Sequence, residues 1–168
     1  MMKICISGSH GFIGGYLVQE CLNNNHQVIG VDNFSKYGDL KKVFESDKNF
    51  SFFNFDIKNS SKLYDILADC DHFIAGAAMI GGISYFHEYA YDLLAENERI
   101  LASSFDAAIK AFKTNKLKKI TVISSSMVFE NSKNFPTPEG DELNSPPPFS
   151  TYGFQKLSSE YFCRGAFN

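Results

Sequence analysis

The run KICISGSHGFIG, Lys3 to Gly14, leaves little freedom in how this chain can fold. A short apolar strand runs straight into Gly8, Gly11 and Gly14, and the residues after them have helical spacing, with Phe12, Ile13, Leu17, Val18 and Leu22 available to pack on a sheet. Glycines at this spacing let backbone come close to a pyrophosphate, whose charge is met by amide N–H groups at the start of the helix. The next apolar run ends at Asp32, where a carboxylate suits the two ribose hydroxyls of an adenosine and repels a 2′-phosphate. NAD is therefore the expected cofactor. Lys36, close behind, offers a charge that keeps NADP open.

The alternation continues. Lys3 to Ser7, Gln27 to Asp32, Phe50 to Phe55, His72 to Ala75 and Lys119 to Ser124 are short apolar runs bounded by turn residues. Helical patterns fall between them at Phe12 to Asn23, Leu40 to Glu45, Ser60 to Leu67 and Tyr89 to Asn115. Strand and helix alternating in this way require right-handed crossovers, so the expected fold is α/β: a Rossmann-type, doubly wound parallel sheet with helices on both faces, in one domain over 1–168. Asn131 to Phe149, rich in Pro, Asn, Ser and acids, predicts a long surface loop leading into a last helix from Thr151.

Composition excludes several classes. A net charge of −3 gives no field for nucleic acid. Four widely spaced cysteines without a CxxC suggest reduced thiols, neither a metal site nor a disulfide framework. No stretch reaches the about 18 apolar residues of a membrane span, and MMKICISG reaches glycine too early for a signal peptide, so a cytoplasmic protein is expected.

A second group of residues carries chemistry. Ser124, Ser125 and Ser126 end the fifth run, and Tyr152 and Lys156 are four apart on the last predicted helix, hence on one face. The Lys156 ammonium beside the Tyr152 phenol favours its ionised form, and a nicotinamide cation nearby would add to this. That is how a group with an ordinary value of about 10 becomes a base near neutral pH.

Taken in order, GSHGFIG, VDN at Asp32, FD at Asp56, AGAA from Ala75, Asn97, SSSMVF and YGFQK resemble the extended short-chain dehydrogenase/reductases, in the NAD-dependent nucleotide-sugar epimerase/dehydratase branch. The resemblance spans the whole chain. It implies a pyrophosphate turn of Gly8, Gly11, Phe12, Ile13 and Gly14, an adenosine ribose on Asp32 and Asn33, and adenine flanked by Asp56 and Ile57. Ala75, Gly76, Ala77, Asn97 and Ser124 would line the cofactor, and Met79, Gly81, Gly82, Ser125, Ser126 and Tyr152 the substrate. Ser125, Tyr152 and Lys156 would be the catalytic set, with Lys156 also on the nicotinamide ribose.

Departures from the family pattern narrow the chemistry. The position before Val128 carries Glu in the dehydratases and decarboxylases, and Cys in the GDP-sugar 3,5-epimerases that the GGI at Gly81 to Ile83 resembles; here it is Met127, whose thioether has no exchangeable proton. What remains suits reversible oxidation at one carbon, as in a UDP-hexose 4-epimerase. A dehydratase or reductase of the same family, or a dinucleotide-binding sensor without turnover, are the alternatives. Phe129-Glu130 in place of Tyr-Gly, and Ala90 in place of a proline, bear on loop shape. The resemblance further implies more chain after Asn168, supplying the last strands and a substrate domain, and a homodimer through the helices around 97–110 and 152–163. On that reading the 168 residues alone are a weak catalyst and a marginal fold.

Overall fold

A computed structural model of the chain describes residues 1–114 and 116–168. Two compact units divide it: Met1–Ala78 with Ile100–Thr121, and Met79–Arg99 with Val122–Asn168.

The first unit is built on strands β1 (Lys3–Ser7), β2 (Gln27–Asp32), β3 (Phe50–Asn54) and β4 (His72–Ala75). With β5 (Lys119–Val122) they form one sheet in the order β3-β2-β1-β4-β5. β1 pairs in parallel with β2 and with β4, Cys5 lying opposite Ile29 on one side and Phe73 on the other, and β2 pairs in parallel with β3. The expected sheet is therefore present. Its central strands are apolar on both faces because both are covered, which is why they read as continuous runs without alternation. Cys5, Ile29, Val31, Leu63, Leu67, Phe73, Ala107, Ala111 and Leu117 belong to one buried cluster.

Helix α1 (Phe12–Asn23) has the expected boundaries but turns a narrower face inward. Gly14, Val18 and Leu22 are buried, whereas Phe12 is 70% and Ile13 53% exposed. The first turn has only just left the strand end, so its apolar side chains do not reach the sheet. Helix α2 (Ser60–Leu67) matches its predicted range, with Asn59 accepting from Lys62 N at 3.1 Å as N-cap. The weak pattern at Leu40 to Glu45 becomes a 3₁₀ turn at Val43–Ser46, where Glu45 accepts from Lys42 N at 2.7 Å.

The helix expected over Tyr89 to Asn115 is α4 (Ala90–Thr114); Asn115 lies outside the described residues. Its stripe is core: Leu101 and Phe105 are buried, and Ile100 packs against the buried cluster. Ahead of it lies α3 (Ile83–Glu88), which was not expected because six residues are too few to display a period.

The second unit carries a 3₁₀ turn at Ser126–Phe129 and helix α5 (Thr151–Phe167). β5 stops at Val122, two residues short of the predicted Ser124. The long loop between is ordered by a buried acid. Asp141 accepts from Asn134 Nδ2 at 2.8 Å, from Ser145 Oγ at 3.1 Å and from Ser132 Oγ, and these donors hold its carboxyl below the usual range. Glu142 next to it pairs with Arg164 of α5. Of the last predicted apolar stripe, Leu157 is buried and Tyr161 is exposed.

Among the described residues no helix is long and apolar enough to cross a membrane. The same residues hold no group of three or more potential metal ligands.

Candidate active site

In the first unit the ends of β1, β2 and β4 come together around the glycine turn. Gly8 has φ +72°, a left-handed conformation that favours glycine, and its N–H donates to Val31 O at 2.8 Å. The Gly8 carbonyl accepts from Gly11 N at 3.0 Å and lies so close to α1 that a Cβ on Gly14 would stand 1.9 Å from it. A Cβ on Gly8 itself would come within 3.0 Å of the Ala77 backbone. The turn is thus closed from both sides by main chain.

Ser7 makes the junction with β4, its Oγ accepting from Gly76 N at 3.1 Å and Ala77 N at 3.2 Å. Sequence reasoning passed over Ser7, although a small hydroxyl as the last residue of a buried strand was the available signal. It also passed over His10, which is buried among Phe34, Phe44, Phe50 and Phe52 with ring centroids 4.5–6.5 Å away. His10 Nε2 lies 3.3 Å from Glu45 Oε1, and this contact, after the Lys42 amide, helps to hold the Glu45 carboxyl below its ordinary value. Of the adenine pair, Asp56 is exposed and accepts from Lys58 N at 2.9 Å. The Ile57 side chain is buried and its carbonyl accepts from Ser103 Oγ at 2.9 Å.

The unit fits the dinucleotide expected of it. The start of α1 has neither a side-chain cap nor an acid in its first turn, so its positive end is left for an anion. Asp32 accepts from His10 N at 3.0 Å and Phe34 N at 2.8 Å through different oxygens, which uses about half of the four acceptor sites of a carboxylate and leaves the rest for hydroxyls. Asn33, the other residue expected at the ribose, accepts from Ser35 N at 3.0 Å.

In the second unit Ser124, Ser125, Ser126, Tyr152 and Lys156 come from two neighbouring segments. Ser125 caps the 3₁₀ turn, its Oγ accepting from Met127 N at 3.2 Å. Ser124 Oγ donates to Glu160 Oε1 at 2.6 Å, one helical turn beyond Lys156. Lys156 is buried; its Nζ donates to Ile123 O at 2.7 Å and lies 5.9 Å from the centre of the Tyr152 ring. Burial pulls the Lys156 ammonium below its ordinary value of 10.5. The Tyr152 ring stacks on Phe86 of α3, with centroids 4.5 Å apart and planes 5° from parallel.

The predicted substrate segment is in the same unit. Asn97 clamps Met79, accepting from its N at 2.7 Å and donating to its O at 2.8 Å, so both sides of the amide group are engaged by main chain. Gly81 packs under the ring of Tyr85, and Gly82 is the N-cap of α3. Phe86 is a residue that sequence reasoning missed, since it sits on the helix too short to be predicted.

The model of the NAD-dependent epimerase/dehydratase family matches residues 4–167. An uncharacterized UDP-glucose epimerase, YtcB of Bacillus subtilis, is 29% identical, the match covering 96% of this chain and 51% of that protein. The UDP-glucuronic acid 4-epimerase of Bacillus cereus, solved with UDP-glucuronic acid and NAD, is 29% identical at a TM-score of 0.80 and is matched over 98% of this chain and 52% of its own. The UDP-glucose 4-epimerase of Thermotoga maritima, solved with UDP-glucose, is 28% identical at a TM-score of 0.77, with 98% and 51% covered. The chain spans about half the length of the curated relatives it matches.

Proposed function

This chain belongs to the NAD-dependent epimerase/dehydratase family, and on that premise we propose that the complete polypeptide is a UDP-hexose 4-epimerase. The observation that carries the reading is the gathering of Ser125, Tyr152 and Lys156 in one compact unit, with a methionine where a fourth acid or base would act. The relatives named for, or solved with, UDP-sugars support the substrate class.

Bound NAD supplies a reversible hydride acceptor at C4 of the sugar. The protein's part is to move a proton and hold the ring. The Tyr152 phenolate takes the C4 hydroxyl proton and returns it after the sugar has turned over. Lys156, tethered to Ile123 O, keeps its ammonium 5.9 Å from the centre of the Tyr152 ring, where its charge favours the ionised phenol that accepts the proton. Ser125 uses a lone pair on Met127 N, which leaves its hydroxyl proton free to donate to the reacting oxygen. Stacking on Phe86 fixes the plane of the Tyr152 ring and shields one of its faces.

The test is incubation of the complete polypeptide with NAD and UDP-glucose, UDP-galactose or UDP-glucuronic acid, followed by separation of the sugar nucleotides. Interconversion of C4 epimers is expected. A 4-keto-6-deoxy product would assign a dehydratase, and NAD binding without turnover of any nucleotide sugar would assign a sensor. A homodimer through the helices around 97–110 and 152–163 is part of the same proposal, and sedimentation of the complete polypeptide tests it.

A further inference from the structure

The Glu130 carboxylate lies at the end of the turn that begins with Ser125, and it reaches the first residue of the segment that carries Tyr152 and Lys156. Glu130 is the C-cap residue of the 3₁₀ turn Ser126–Phe129, and Ser125 is its N-cap. One carboxylate oxygen, Oε2, accepts from Ser150 N and from Ser150 Oγ, both at 2.9 Å. Ser150 is in turn the N-cap of α5, its Oγ accepting from Gly153 N at 3.0 Å. The hydroxyl proton of Ser150 is committed to Glu130, so its lone pairs face the helix, which is the polarity an N-cap requires.

We propose that Glu130 is a positioning residue for the catalytic set, fixing the start of α5 against the Ser125 turn and thereby the placement of Tyr152 relative to Ser125. Glu130 is exposed, and three features set its contact with Ser150 apart from an ordinary surface hydrogen bond. The contact is charge-assisted and two-fold on one oxygen, so it fixes both the backbone and the side chain of Ser150. The negative charge sits at the positive end of α5. The two segments also touch without slack: a Cβ on Gly153 would stand 2.7 Å from Met127 O and 2.7 Å from Pro148 Cβ, so any slip at Ser150 moves Tyr152, two residues on, relative to the turn. Because a displacement of about 1 Å at a reacting group can cost on the order of a hundredfold in rate, a contact that only orients can be worth much in turnover.

The proposal rests on the epimerase reading for its kinetic arm and is independent of it for its structural arm. In the complete polypeptide, Glu130→Ala, Ser150→Ala and the double variant are compared with the parent, together with Glu130→Gln as the conservative replacement. We expect Glu130→Ala to lower kcat about tenfold, with KM and NAD affinity within about twofold of the parent. Ser150→Ala keeps the backbone N–H on Glu130 but removes the hydroxyl bond and the cap on Gly153, so it should also lower kcat, and the loss in the double variant should be smaller than the product of the two single losses, since the hydroxyl bond is removed in both. Glu130→Gln keeps an acceptor oxygen and should restore most of the rate. Amide hydrogen exchange, which needs no substrate, should become at least tenfold faster at Ser150 and Gly153 in Glu130→Ala while the amides of β1 and β4 are unchanged. Loss of melting temperature with kcat unchanged would reduce Glu130 to a structural cap and overturn the proposal, as would multiplying kcat losses in the double variant. Faster exchange at Ser150 and Gly153 in a protein that turns over no nucleotide sugar would leave the linkage standing and count against the epimerase reading alone; unchanged exchange would count against the linkage itself.

Discussion

Gly14 and Gly15 are adjacent on α1, yet replacing them by alanine should change stability in opposite directions. At Gly15 the nearest atoms to an added Cβ are 3.8 Å away, an ordinary contact, so the substitution should gain the helix preference of alanine over glycine, up to about 1 kcal/mol. At Gly14 the same methyl would lie 1.9 Å from Gly8 O and 2.7 Å from Gly8 C. Contact distance between carbon and oxygen is more than an ångström longer, so something must move by about that amount. Gly8 cannot retreat, because its N–H is bonded to Val31 O, its carbonyl to Gly11 N, and Ala77 blocks its far side. The displacement falls on the start of α1, and overpacking of this kind costs about 1–3 kcal/mol or more, well beyond the propensity gain. The same movement distorts the turn assigned to the pyrophosphate, so NAD affinity should fall by at least tenfold, about 1.4 kcal/mol. Urea unfolding followed by circular dichroism, with calorimetric titration of NAD, reads both effects on the complete polypeptide. Gly14→Ala as stable as the parent with unaltered NAD affinity, or Gly15→Ala the more damaging of the two, would refute the reasoning.

Three further outcomes follow from other contacts. Tyr152→Phe should keep its stack on Phe86 and its NAD affinity while turnover falls by several orders of magnitude, measured as product formed per enzyme; activity near that of the parent would move the proton to another group. The parent should prefer NAD over NADP at least tenfold, and Asp32→Ala should narrow that preference. It should also destabilise by about 1–2 kcal/mol, because the amides of His10 and Phe34 lose their acceptor; calorimetry and melting curves check the two parts separately. Glu98 is partly buried with Oε1 lacking a hydrogen-bond partner, and burial raises its carboxyl above the ordinary 4.5 despite donation from Ser158. A raised value means that the stability it contributes is present in full below pH 4.5 and is lost as pH climbs through the folded-state value. Glu98→Gln should therefore gain melting temperature on the parent between pH 4 and pH 7, and an identical difference at both would show that Glu98 does not titrate anomalously.

The fold was legible because its determinants are local. The runs at β1, β2 and β4 are apolar throughout since both faces of a parallel sheet are covered, and α1 and α2 carry enough turns to declare their period, so the element order and the parallel sheet followed from the chain alone. The glycine spacing, Asp32, and the pairing of Tyr152 with Lys156 were likewise visible, because each depends on separation along one segment. What tertiary structure decided depends on segments distant in sequence. Ser7 became a brace only when the ends of β1 and β4 met, and Phe86 reached Tyr152 only because a six-residue helix, too short to signal itself, was folded beside it. Phe12 and Ile13 read as sheet-facing from their spacing, yet the strand end sets how α1 leaves the sheet and left them exposed. Glu130 read as a change in loop shape; its partner is 20 residues away, and a hydrogen bond across that distance is a property of how two segments are held, which spacing does not encode.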